Sequence, residues 1–415
     1  MSEAAKLLPN KGWTVVLAGL GINLVLGLLY TYSLFKEAIS ASIKAHDGRF
    51  TWELANLNDP YAVCCSGLAF TMIFAGRLQD KLGPRLTATI GGILTGFGLI
   101  WVSFSYSLVI WVMGFGVLGA GLAFSYASVT PPAFKWFAPS KSGMIAGIVV
   151  SGFGLASVYI APLTQFLVGT YGLNTSMRIL GAGTALVVCV LARFLINPPA
   201  GYRPEGMLEP TKAMAVPCHE VNFQPTEVLR TSAFYKLWLM FAINAGTGLV
   251  IISNVAGMAK QSLGAMAWIV VALMAVGNAS GRVVAGILYD KIGRMCTMAI
   301  MMIAQSAMMV ALLLVGVGNA IFMVFAATVV GFNYGTNLSL FPASTKDFFG
   351  LKNFGANYGL VFTAWGVGGF FLPKIAQMSM AATGTFNTTY LTTAILLAIS
   401  AGLAFMTNEP KKKNC

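Results

Sequence analysis

Continuous apolar runs of about 20 residues, separated by short polar segments, recur along the whole chain. A helix of that length crosses a hydrocarbon core roughly 30 Å thick. A barrel of strands would show alternating polar and apolar positions instead. The pattern predicts twelve helices, near residues 13–35, 58–77, 86–106, 108–130, 143–165, 175–196, 235–259, 265–286, 296–316, 320–343, 355–373 and 388–407. The longest polar stretch, rich in Pro and charge, falls between the sixth and seventh, so the expected plan is a six-helix bundle over 1–196, a linker over 197–228 and a second bundle over 229–415.

Composition supports this reading: of 415 residues, 57% are hydrophobic and 9% charged, and the mean hydropathy is +0.76, far from a soluble domain. The 46 glycines suit helices that pack closely in lipid. The net charge of +13 raises the question of nucleic acid, which position answers. Of the 26 Lys and Arg, 19 lie in the termini and even-numbered loops, six in or beside the odd loops, and one, Arg282, inside a span. This bias predicts a multi-pass protein of the plasma (inner) membrane with both termini cytoplasmic, and leaves no soluble basic domain for nucleic acid. No removable signal peptide is expected before the first span. The six cysteines show no disulfide spacing. His46 and His219, both in loops, cannot build a metal cluster or an in-membrane acid–base pair, which argues against an enzyme and against a cofactor.

Arg282 is the candidate centre. It is the only ionised side chain from Gln261 to Tyr289, and the 13 acids all lie in loops, tails or helix ends. A guanidinium stays charged, and at a helix centre it costs about 2.5 to 3.5 kcal/mol on insertion scales, so it should face the bundle interior or water. Its missing counter-charge could arrive as substrate, because its fork matches one carboxylate. Asn278, one turn away on the same face, could add an amide donor. The competing reading has Arg282 reaching toward the end of its helix, where Asp290 lies two turns on, and Asn278 as a packing residue.

The two halves repeat each other. GRLQDKLGPR from Gly76 matches GILYDKIGR from Gly286 at an offset of 210, and WFAPSKSGMIAG from Trp136 matches FFGLKNFGANYG from Phe348 at an offset of 212. Such a repeat is the plan of carriers with a midplane site between the halves. Asp80 and Asp290 can meet helix N-termini, where the dipole favours an anion, leaving Arg77, Arg85 and Arg294 to pair across the same side as a conformational latch. The prolines of Pro131–Pro132 and Leu340–Pro342 are expected near helix ends.

The duplicated D-K-x-G loop is similar to that of the major facilitator superfamily, whose all-α fold has twelve transmembrane helices in two pseudo-symmetric bundles. Trp136–Gly147, Asn278–Arg282, Leu340–Pro342 and Phe35–Glu37 resemble the oxalate/formate antiporter and monocarboxylate transporter group, nearest to its bacterial monocarboxylate (L-lactate) members. The resemblance implies carriage of small carboxylates, in many members with a proton, by a functional monomer. It implies a cavity lined by Tyr30, Tyr126, Tyr334, Phe362 and Trp365 beside Arg282 and Asn278. Dicarboxylate carriers of the group have a lysine where this chain has Trp365, and human-type monocarboxylate carriers have an aspartate at Asn278 and a lysine at Leu28 or Leu29. One arginine therefore suggests one carboxylate, and the group that would carry a proton is missing.

Overall fold

The computed structural model describes residues 11–199, 202, 204 and 222–410, the side chains of Tyr30, Leu54, Ala55, Ser157, Ala256, Gln261 and Ala265 excepted. Most of the expected linker, together with Lys6, Arg203, Lys212, Cys218, His219, Cys415 and the lysines 411–413, lies outside the described residues.

Span one is α1 (Gly12–Leu26) continued through a tight 3-10 turn at Gly27–Thr31 into α2 (Tyr32–Ala45). Next come α3 (Asp59–Leu82), α4 (Pro84–Val102), α5 (Leu108–Trp136) and α6 (Ser142–Ala192). A short α7 (Pro225–Val228) precedes α8 (Ser232–Leu263), α9 (Ala267–Ile292), α10 (Arg294–Val315), α11 (Ala320–Phe349), α12 (Phe354–Thr383) and α13 (Asn387–Phe405). Eleven stretches of the described residues are long and apolar enough to cross a membrane. One of them, Pro139–Ala192, contains two crossings: at 1.5 Å per residue α6 would be about 76 Å long if straight, and it breaks at Gly172, where φ is 77°. The twelve expected helices are therefore present, with spans five and six joined by one residue of left-handed backbone.

Several helices outrun their expected ends. Span one reaches Ala45, α5 reaches Trp136 and α11 reaches Phe349. Pro131, Pro132 and Pro342 consequently sit inside helices, a correction to their placement at termini. The error has a physical cause: apolar length reports the lipid-covered part of a helix, whereas hydrogen bonding carries the helix on into the polar layer.

The duplicated D-K-x-G is legible as a turn. Gly83 and Gly293 adopt φ of 83° and 89° between α3 and α4 and between α9 and α10, a region glycine enters without strain. At this loop end the halves meet along two faces, α6 with α9 and α3 with α12. A Cβ on Gly143 would lie 2.3 Å from the Gly286 carbonyl oxygen, and one on Gly76 would lie 1.9 Å from that of Gly355. Only glycine lets the backbones approach so closely.

Candidate functional site

One helical turn beyond each glycine contact stands an acid. Asp80 accepts the amides of Gly355 (3.0 Å) and Ala356 (2.9 Å), and Asp290 accepts those of Gly143 and Met144, both at 2.8 Å. Each carboxylate thus satisfies two orphan donors at a helix N-terminus in the opposite half, with the dipole in its favour. The basic members expected with them behave differently. Arg294 pairs inside its own half, with Asp347 at 3.5 Å and with Glu409. Arg77 and Arg85 are exposed and have no ionic partner among the described residues. The expected arginine pairing across the loop end is corrected accordingly: the acids that would receive it are already turned into helix ends.

Deeper on α9, Arg282 is fully buried at 0% exposure, which excludes both a lipid-facing and a snorkelling position. Its Nε donates to Asn278 Oδ1 at 3.1 Å, and its Nη1 donates to the Val150 carbonyl of α6 in the other half. Its Nη2 has no hydrogen-bond partner among the described residues, and no Asp or Glu pairs with it there. Two neutral oxygens leave the charge uncompensated, so one edge of the fork remains for an anion. The geometry also orients Asn278: its oxygen faces the guanidinium, which leaves the amide nitrogen to donate elsewhere.

The aromatic residues gather around this centre. The Arg282 guanidinium carbon lies 5.9 Å from the Phe153 ring centre, and Phe153 meets Tyr126 edge-on at 6.1 Å. Tyr126 reaches Phe362 across the halves at 5.6 Å, and Phe362 stacks on Trp365 at 5.4 Å. Trp365 Nε1 donates to the Tyr334 hydroxyl at 2.9 Å, while Tyr358, one turn before Phe362, packs on it at 5.7 Å. Leu28 and Leu29 are buried in the 3-10 turn of span one, whose Gly27 backs onto Ala156 and the Phe153 carbonyl. That turn therefore abuts the wall holding Arg282. The Tyr30 side chain lies outside the described residues.

Sequence reasoning missed Val150, Phe153 and Tyr358. A backbone acceptor such as Val150 leaves no residue-type signal. Phe153 had one, because the offset of 212 that aligns the halves makes it the counterpart of Trp365. Among the described residues no group of His, Cys, Asp or Glu gathers as a metal site would require.

The Major Facilitator Superfamily model matches residues 13–373. The chain belongs to that superfamily. It is a multi-pass membrane transporter in fold and lineage, and its relatives fall where the sequence resemblance placed it. It is 26% identical over 408 residues to the oxalate:formate antiporter of Oxalobacter formigenes, covering 97% of this chain and 92% of that one. It is 25% identical over 402 residues to monocarboxylate transporter 13 of Rattus norvegicus, covering 94% and 88%. The superfamily transporter FucP, solved in an outward conformation, superposes with a TM-score of 0.69 at 14% identity, covering 95% of this chain and 99% of that one, which supports the fold alone.

Proposed function

We propose that this superfamily member is a secondary active transporter of small monocarboxylates such as L-lactate and pyruvate. It works by alternating access, using its two mirrored closing faces, as a monomer in the plasma membrane with both termini cytoplasmic. The observation that carries the reading is the buried guanidinium of Arg282, which among the described residues has no acid beside it and no partner for Nη2. A carboxylate bound there neutralises the centre, and closure then moves a nearly uncharged complex. Asn278, Tyr126, Tyr334, Phe362 and Trp365 supply donors and ring faces for the remainder of the substrate, with Leu28, Leu29 and Tyr30 closing the span-one side. Asp80 and Asp290 latch the loop end, taken as the cytoplasmic one, so that end is closed in the described state.

Proton symport is the coupling the resemblance favours. Carboxylate exchange is the second reading, supported by the lack of any acid beside Arg282 among the described residues: an empty carrier would hold an uncompensated cation and resist reorientation. Lactate uptake into proteoliposomes under an inward proton gradient, without internal substrate, separates the two. Symport predicts accumulation that collapses with a protonophore. Uptake seen only after loading internal carboxylate would replace symport by exchange.

A further inference from the structure

The two closing faces share one register, and it continues from the loop end into the site. Residues of α3 correspond to those of α9 at an offset of 210, and residues of α6 to those of α12 at 212. The first rung is the pair of capped helix ends, Asp290 on Gly143 and Met144, and Asp80 on Gly355 and Ala356. At the second, a Cβ on Gly147 would lie 2.3 Å from the Arg282 carbonyl oxygen, and one on Gly359 would lie 2.6 Å from that of Met72. At the third, Gly154 meets Ala279 and Gly366 meets Ala69. These rungs make Met72 the counterpart of Arg282, Leu68 of Asn278, Phe362 of Val150 and Trp365 of Phe153.

Equivalent positions thus approach the centre from both sides with different chemistry. One wall carries a guanidinium and an amide. Its mirror carries a thioether, an aliphatic chain and two stacked rings, with Met72 and Leu68 buried at 0% and 3%. Neither α3 from residue 60 to 76 nor α12 from 354 to 373 contains a Lys, Arg or His. An anion placed against that wall would lose its hydration without gaining a counter-charge. An apolar group would gain dispersion contacts, and an unbranched methionine adapts its shape to such a group.

We propose that Met72, backed by Leu68, is the specificity wall opposite Arg282: it receives the uncharged end of the substrate and restricts the site to acids with one carboxylate and a compact apolar tail. The inference rests on Arg282 as the carboxylate anchor.

The test is counterflow of labelled propionate in proteoliposomes, which is independent of proton coupling, with butyrate, valerate and malonate as competitors. Wild type should favour propionate over malonate by about tenfold or more. Met72→Ala should enlarge the tail space and strengthen valerate relative to propionate by about tenfold. Met72→Lys should strengthen malonate relative to propionate by a similar factor, because a second cation then faces the second carboxylate. Should Met72→Lys fail to insert or fold, the chain-length profile of Met72→Ala decides alone. Competition profiles that stay at the wild-type pattern in Met72→Ala and Met72→Lys, with propionate counterflow intact, would overturn the wall while leaving the carboxylate anchor standing. A wild type that neither binds nor exchanges any of these acids would remove the anchor, and this inference with it.

Discussion

At the residue scale the account turns on a cation whose partners are all neutral. The Arg282 guanidinium spends Nε on Asn278 and Nη1 on the Val150 carbonyl, and keeps Nη2 without an acceptor among the described residues. A lysine would retain the charge but not the planar fork, so Arg282→Lys should weaken lactate binding by about 1.5 to 3 kcal/mol, the worth of one charge-assisted hydrogen bond. Titration of the purified protein, followed by tryptophan fluorescence or calorimetry, would show this; affinity equal to wild type would mean that the fork is not used. Asn278→Asp tests the charge itself. The new carboxylate would replace a neutral oxygen on Nε, pair with the cation and depress lactate binding near neutral pH. Its pairing lowers its own pKa below the ordinary carboxylate value, so the loss of affinity should persist across the whole pH range in which lactate is itself ionised. Binding that is unchanged at neutral pH would show that Arg282 does not supply the counter-charge. The arginine and the asparagine were legible in the sequence because a lone charge in an apolar run demands an explanation. Val150 was not, since every residue has a carbonyl and only packing chooses which one is used.

At the scale of elements, glycines and capping acids set how the helices meet. Gly143 against Gly286 and Gly76 against Gly355 bring backbones into contact, and Asp290 and Asp80 then reach the amides at the starts of α6 and α12. Asp290→Asn keeps one acceptor but loses the charge and one of two hydrogen bonds. It should shift the closed loop end toward opening by about 1 to 2 kcal/mol, roughly five- to thirtyfold in population. Spin labels at the exposed Lys141 and Lys291 would report this as a longer distance component, and an unchanged distribution would argue that the acid caps a helix without latching the halves. The D-K-x-G repeat announced both acids and the positive-φ glycines Gly83 and Gly293. It did not announce that the neighbouring arginines stay out of the closure, because sequence spacing gives proximity along the chain and says nothing of which acid is already occupied. Nor did hydropathy separate spans five and six, where Gly172 alone makes the break.

At the scale of the whole molecule, the twelve crossings were readable from hydropathy and the two-fold repeat from offsets, and the superfamily model matches residues 13–373. The same symmetry frames the chemistry: an identical scaffold is used twice, and the site is made by the positions where the copies differ. Arg282 and its counterpart Met72 are the sharpest such difference, a cation at one position of the repeat and a thioether at the equivalent one. The most direct measurement is lactate counterflow in proteoliposomes containing wild type or Arg282→Gln, with reconstitution and monodispersity matched. Removing a buried, hydrogen-bonded charge partner costs about 2 to 5 kcal/mol, so the variant should lose at least roughly thirtyfold in flux at subsaturating lactate. Flux equal to wild type in the Arg282→Gln protein would contradict the account.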